Sequence, residues 1–302
     1  MAAAAFAADT TSLAVRKENV RAFLDRGDFA KAAEQAKVMN RETPDDISTY
    51  QLLAAADLGL GDYDKAEHSI QWMLDLRIGK ADAAGWLLVA QLREVTGDLD
   101  GAIEAVNLAY SRVVPGQRPD TQSLLVYSAK LQMLSGKLDY AEKILQGMNA
   151  SLPGGEAALA ALAQLRILQH READANEILR RLAYPGSHPR YFYQQAMVSA
   201  KPEDYQVFEA AALQRKDDFD NANIELILYY AGQGKRPDRA LNMARSEVTK
   251  RHDVLTLDAL AMALFESGET TEARTTMERI LAVGTRNPEV LRHAARLGVN
   301  AK

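Results

Sequence analysis

The chain has 302 residues, 47% of them hydrophobic and 25% charged, a balance that excludes a disordered or fibrous chain. Lysine and arginine total 36 against 41 acidic residues, and a formal net charge of −5 argues against a surface dedicated to nucleic acid or anionic lipid. The absence of cysteine excludes disulfides, thiolate metal sites and a cysteine nucleophile, and no apolar run approaches the roughly 18 to 20 residues needed to span a bilayer.

Met1 to Asp9 is a run of small apolar residues around Phe6, like the small-residue end of a secretory signal, but it has neither a basic n-region nor a long apolar stretch. Residues 1–12 therefore read as the remnant of an export signal or as a disordered start. An exported, periplasmic location is favoured over a cytoplasmic one.

From residue 13 onward the apolar residues follow helical spacing, as at Leu52, Leu53, Ala56 and Leu60, or Ile144, Leu145 and Met148. A phrase recurs through this stretch: Gly27-Asp28-Phe29-Ala30-Lys31-Ala32, Gly61-Asp62-Tyr63-Asp64-Lys65-Ala66, Gly97-Asp98-Leu99-Asp100-Gly101-Ala102, Gly136-Lys137-Leu138-Asp139-Tyr140-Ala141 and Gly268-Glu269-Thr270-Thr271-Glu272-Ala273. Weaker copies start at His170 and at Gly234, and one more unit has room around Lys201 to Tyr205. Gly27 and Gly61 stand 34 residues apart, the period of a two-helix repeat. In physical terms a left-handed glycine ends one helix, an aspartate caps the next, and the alanine lets the two helices approach closely. Pro44 and Pro153 each follow the phrase alanine by twelve residues, where the second helix should end.

On this phrase the chain resembles the tetratricopeptide-repeat family over residues 13 to 287. The resemblance implies an all-α, right-handed α-solenoid of helix-turn-helix units with a C-terminal capping helix. Five units fill 13–189, a degenerate unit or bend 190–219, two units 220–287, and the cap and tail 288–302. The turn from Val113 to Thr121, with Pro115, Gly116 and Pro119, reads as a surface loop. Pro185, Pro189 and Pro202 break the rhythm in 183–219, where Tyr191, Phe192 and Tyr193 crowd together. Those aromatics either pack an imperfect unit or form a hot spot for a partner.

The resemblance also places three positions of each first helix on a concave groove. These are Lys17, Arg21 and Leu24 in the first unit, Gln51, Ala55 and Leu58 in the second, and Leu87, Gln91 and Glu94 in the third. Val126, Lys130 and Met133 follow in the fourth, Ala160, Gln164 and Ile167 in the fifth, and Asp258, Met262 and Phe265 in the last full unit. Some family members hold a chaperone's C-terminal carboxylate with a clamp of lysine, asparagine and arginine. Lys17 matches its first lysine, but Arg21, Leu52, Ala84 and Leu88 occupy the remaining positions, so that role is not expected.

No catalytic constellation, metal site or cofactor is expected. The five histidines lack the one-turn spacing of a helical zinc site; no phosphate-cradling glycine loop or Gly-x-Ser-x-Gly elbow occurs. Trp72, Trp86, Met39, Met73 and Met148 sit at core spacing, and Asp258, which interrupts an apolar segment, reads as a capped or partly exposed carboxylate. The expected function is a scaffold or adaptor that binds another protein, an extended peptide or a helix in the groove, as a monomer or weak homo-oligomer, with no nucleic acid and no membrane span. A regulatory sensor that changes curvature when the groove fills is the alternative.

Overall fold

A computed structural model describes residues 12–76, 81–151, 155–218 and 220–300. The export-signal reading of the N-terminus and the helix stop at Pro153 lie outside the described residues. Seventeen helices occur among the described residues, and the first sixteen pair as antiparallel hairpins. The first four hairpins are α1 (Leu13–Asp25) with α2 (Phe29–Glu42), α3 (Ile47–Leu60) with α4 (Tyr63–Leu76), α5 (Ala83–Val95) with α6 (Leu99–Tyr110), and α7 (Thr121–Leu134) with α8 (Leu138–Ser151). The next four are α9 (Glu156–Leu168) with α10 (Glu172–Leu182), α11 (Pro189–Ser199) with α12 (Pro202–Gln214), α13 (Asn223–Ala231) with α14 (Pro237–Val248), and α15 (Val254–Glu266) with α16 (Thr270–Ala282). A single helix, α17 (Pro288–Arg296), closes the series against α15.

The phrase accounts for the hairpins. Its alanines, Ala32, Ala66, Ala102, Ala141, Ala175, Ala240 and Ala273, are all fully buried, which is where a larger side chain would force the helices apart. All five phrase glycines take the left-handed conformation. In the weaker copies His170, Ala200 and Lys235 adopt it instead, so the seventh hairpin turns at Lys235, one residue later than the Gly234 that the phrase indicated. Asp28 and Asp98 cap second helices, accepting from the backbone N–H of Lys31 and Gly101. A set not anticipated caps first helices: Asp46, Asp82, Asp120 and Asp253 accept from Ser48, Gly85, Ser123 and Leu255. Each cap contributes about 1 kcal/mol.

The irregular stretch 183–219 holds a helical hairpin, with Pro189 and Pro202 at the first positions of α11 and α12, where the missing N–H costs nothing. Its departure from the pattern is on the far side, where α12 touches α13 only lightly. Met39, Met73 and Met148 are core residues. Trp72, expected in the core, is instead 47% exposed on α4, stacked on Tyr50 at 6.4 Å and bonded through its indole N–H to His68.

The solenoid meets itself. The turn after α3 packs against the connection between α14 and α15: the Leu60 carbonyl accepts from the His252 N–H at 2.8 Å, Asp62 faces the His252 imidazole at 3.0 Å, and the Tyr63 hydroxyl accepts from the Val254 N–H at 3.0 Å. One unit further on, the turn after α5 meets the connection between α16 and α17. There a Cβ added to Gly97 would stand 2.2 Å from the Gly284 carbonyl oxygen, and one on Gly284 would stand 2.5 Å from that of Thr96. Turns within hairpins form one edge of the ribbon and turns between hairpins the other, so one edge touches the opposite edge after one superhelical turn. Tyr63 and Val95 accordingly pack into the hydrophobic cluster of the C-terminal half, with Leu257, Leu260 and Leu264.

Charge at this seam is finely placed. Burial pushes the Asp62 carboxyl up, but hydrogen bonds from Lys65 and His252 outweigh it and hold the pKa below its ordinary value. Asp57, one turn earlier and only 4% exposed, is pushed up to about 6 by burial and then by the neighbouring Asp62 charge. An unfolded Asp57 ionises near 3.8. Between that value and about 6 the folded chain keeps a proton that the unfolded chain has lost, so Asp57 lowers stability as pH rises through this window and its cost is complete above it. Asp62 has the opposite sign, its contribution being lost as pH falls through its depressed pKa.

Three measurements test this architecture. Leucine in place of Ala66 or Ala141 should cost about 1–3 kcal/mol, read as a lower denaturant midpoint with an unchanged slope. Gly97→Ala and Gly136→Ala both place a side chain at a left-handed residue, but nothing stands within 4 Å of a Cβ at Gly136. The Gly97 variant should therefore lose about 1–3 kcal/mol more than the Gly136 variant; equal losses would mean that the seam is absent in solution. Asp57→Asn should stabilise the protein at neutral pH by about 1–3 kcal/mol and flatten its stability between pH 4 and 6, measured by urea unfolding at several pH values.

Candidate functional site

The first helices of successive units are joined by a line of polar contacts, and several predicted groove residues belong to it. Lys17 on α1 pairs with the α3 cap Asp46 at 2.5 Å, and the Gln51 amide on α3 donates to the α5 cap Asp82 at 2.8 Å. The Tyr127 hydroxyl on α7 donates to Glu94 on α5 at 2.5 Å. Arg190 on α11 bonds Glu225 on α13 at 2.7 Å, and His293 on α17 meets Asp258 on α15 at 2.8 Å. These contacts tie one unit to the next. Lys17, Gln51, Glu94 and Asp258 are therefore partly or wholly engaged by the fold before any ligand arrives.

Asp258 departs most from expectation. It is neither capped nor exposed: at 2% exposure it is buried beneath α17, one oxygen on His293 and the other without a hydrogen-bond partner among the described residues. A buried carboxylate needs such a partner, and α17, which the groove positions left out, supplies it. Met133 and Met262 are also buried, in the hydrophobic clusters of the fourth unit and the C-terminal half, so they pack the solenoid and do not present themselves to a ligand. Arg21 is exposed and pairs with Glu18 on its own helix.

Gln91, Lys130 and Gln164 remain exposed, with Ile167 half-buried beside them. Lys130 makes no ion pair among the described residues. Burial of its surroundings pushes its pKa down, and the Arg190 guanidinium adds to that, while Glu94 opposes. Burial likewise pushes Glu94 up, with Tyr127 and Lys130 offsetting part of the rise. On the far side of the inner face, burial raises Glu289, as do Asp258 and Glu225, against His293 and Arg292. Carboxylates and cations from α5, α7, α11, α13, α15 and α17 thus act on one another in a chain along the inner face.

The three aromatics of α11 are all half-buried and go to different neighbours. Tyr191 packs with Leu179 and Leu182, whereas Phe192 and Tyr193 join the C-terminal cluster, Tyr193 with its ring 5.0 Å from Phe208. They bridge two hydrophobic clusters.

Two cavities flank this surface. An open cleft of about 660 Å³ at the ends of the first hairpins is lined by Glu42, Asp45, Asp46, Gln51 and Asp82, but Asp46 and Asp82 are taken by the caps and staples above and Glu42 by Arg16. A smaller cavity of about 210 Å³ lies in the seam. Tyr63, Gln91, Glu94, Val95, Leu99 and Leu134 line it from the N-terminal bank, and Asp253 to Leu255 with Thr285 to Asn287 from the other. Its signal in the sequence was limited to Gln91 and Glu94, because the opposite bank is brought there only by closure. No described helix is long and apolar enough to cross a membrane.

No protein-family model and no curated protein matches the chain. Solved structures do resemble it. Human IFIT1, in a dimer with PPP-AAAA, shares 12% identity over 90% of this chain and 73% of its own, with a TM-score of 0.57. A chain of the APC/C hetero-tetramer Cut9-Hcn1 shares 14% identity over 96% of this chain with a TM-score of 0.54, and this chain spans 50% of its length. A tetratricopeptide repeat protein from Parabacteroides merdae ATCC 43184 is 16% identical over 94% of this chain and 97% of its own, with a TM-score of 0.46. The recurring phrase, the buried alanines and the paired helices show together that this chain has the tetratricopeptide-repeat fold.

Proposed function

We propose that the chain is a non-catalytic scaffold whose inner face, between α5 and α11, holds an acidic segment of another protein, as an extended peptide or a helix. Lys130 carries this reading. It is an exposed ammonium on the inner face, crowded enough to have its pKa depressed and without an ion pair among the described residues. A carboxylate from a partner would relieve the unfavourable proximity of Arg190, and in partly desolvated surroundings that contact is worth more than a surface ion pair. Gln91 and Gln164, both exposed, supply amides that can bond a partner's backbone, as extended peptides require. The Cut9-Hcn1 chain that shares this fold is part of a hetero-tetramer, in keeping with assembly as the general use of such a surface.

A ligand-responsive sensor is the second reading, and the seam favours it. A solenoid whose edges meet has two discrete arrangements, closed and open, on which a ligand can act. In both readings the chain is a monomer or weak homo-oligomer and does not use nucleic acid.

The test is affinity capture from native cells with wild-type protein and Lys130→Glu side by side, scored by mass spectrometry. A stoichiometric partner retained by the wild type should be reduced at least about tenfold with the variant, while circular dichroism stays unchanged. A partner held equally by both would remove the inner face from consideration.

A further inference from the structure

Away from Lys130, the seam cavity combines opposite charge with an apolar wall. Glu94 and Arg286 line it from opposite banks, one on α5 and one on the connection between α16 and α17. They form no ion pair with each other, and neither has an ion-pair partner among the described residues: Glu94 has only the Tyr127 hydroxyl on one of its oxygens. Asp253, the other carboxylate in the wall, is already engaged by Arg251 and by its cap bonds to Leu255 and Thr256. The cavity wall thus carries one anion and one cation that are not paired with each other. Val95, Leu99 and Leu134 on one bank and Val254 and Leu255 on the other add apolar lining.

We propose that this cavity is a binding site for a free aliphatic α-amino acid, its ammonium toward Glu94, its carboxylate toward Arg286 and its side chain among Val95, Leu99, Leu134 and Val254. The charges select a zwitterion. A peptide terminus, a fatty acid or an amine offers only one of the two groups and leaves the other wall unpaired. The size agrees, since about 210 Å³ falls below the roughly 300–1,000 Å³ of pockets for drug-sized ligands. The apolar wall selects a branched or linear aliphatic side chain over a polar one.

Closure supplies the coupling. The two banks of the cavity are joined by contacts between residues about 190 positions apart, such as Val254 with Tyr63, so the site exists only when the edges meet. A ligand that binds the closed form alone stabilises it increasingly as ligand concentration rises, which gives the seam an input of its own beside any macromolecular partner on the inner face.

The experiment is isothermal titration of the full chain with L-leucine, L-isoleucine, L-valine and L-methionine, alongside L-leucinamide and 4-methylpentanoate, which lack the carboxylate and the ammonium respectively. Saturable binding of at least one amino acid is expected, weakened at least about tenfold in both analogues and in both Glu94→Gln and Arg286→Gln, with the thermal midpoint of the wild type rising with ligand. No saturable heat from any of the four amino acids up to about 10 mM would overturn the proposal, as would leucinamide or 4-methylpentanoate binding as tightly as leucine. The analogue comparison uses unaltered protein and so stands even if a substitution disturbs the fold.

Discussion

Each hairpin is held at a separation that only a very small side chain tolerates, and the shape of the molecule depends on that separation. The fully buried phrase alanines fix how far the second helix leans on the first, and helix axes that approach closely do so at restricted angles. A solenoid adds these rotations unit by unit, so its curvature is a sum of small local terms. Between the turn at Gly61 and the connection at His252 lie several complete hairpins, and an error of a few degrees repeated in each would carry the edges apart. The hydrogen bonds of Leu60, Asp62 and Tyr63 to the α14–α15 connection are therefore a consequence of packing far from them. They in turn hold that curvature against bending.

The line of polar contacts between first helices serves the same end by a different force. Exposed ion pairs contribute about 0–1 kcal/mol, but Lys17 with Asp46 and His293 with Asp258 are shielded from solvent, where separating the partners leaves a charge without compensation. Such contacts specify register more than they add stability. Asp258 illustrates this: its burial is tolerable only while α17 stays docked with His293 above it, so the last helix both covers the apolar end of the solenoid and supplies the hydrogen-bond partner within it.

What the amino-acid sequence disclosed follows from the range of the interactions involved. The hairpins, their left-handed turns and the buried alanines are consequences of contacts within a single unit, and the repeated phrase displays them in full. The caps at Asp46, Asp82, Asp120 and Asp253 were equally local and could have been found, as an aspartate directly before each helical stretch. The seam could not. Gly97 and Gly136 occupy the same place in the same phrase, yet one lies against the backbone of Gly284 and the other against open space. Trp72 misled for a related reason: its helical spacing fits a core position, but in a one-layer solenoid the outer helices keep a broad solvent face. Met133 and Met262 erred in the other direction, because these first-helix positions face the hydrophobic clusters of their own and neighbouring units.

Closure also changes what binding can mean for such a fold. An open solenoid bends continuously, so a partner alters its curvature by degrees and each unit answers mainly to its neighbours. Here the first and last thirds share a boundary, and bending anywhere between them has to be accommodated at Gly97 and His252 or else break them open. Close backbone packing is intolerant of small displacements, so the seam resists such bending. Inner-face charges from α5 to α17 already act on one another across this closed form. A partner's charge placed among them would therefore be felt at the seam, and a ligand in the seam would be felt among them, by the reciprocity that any coupled equilibrium obeys.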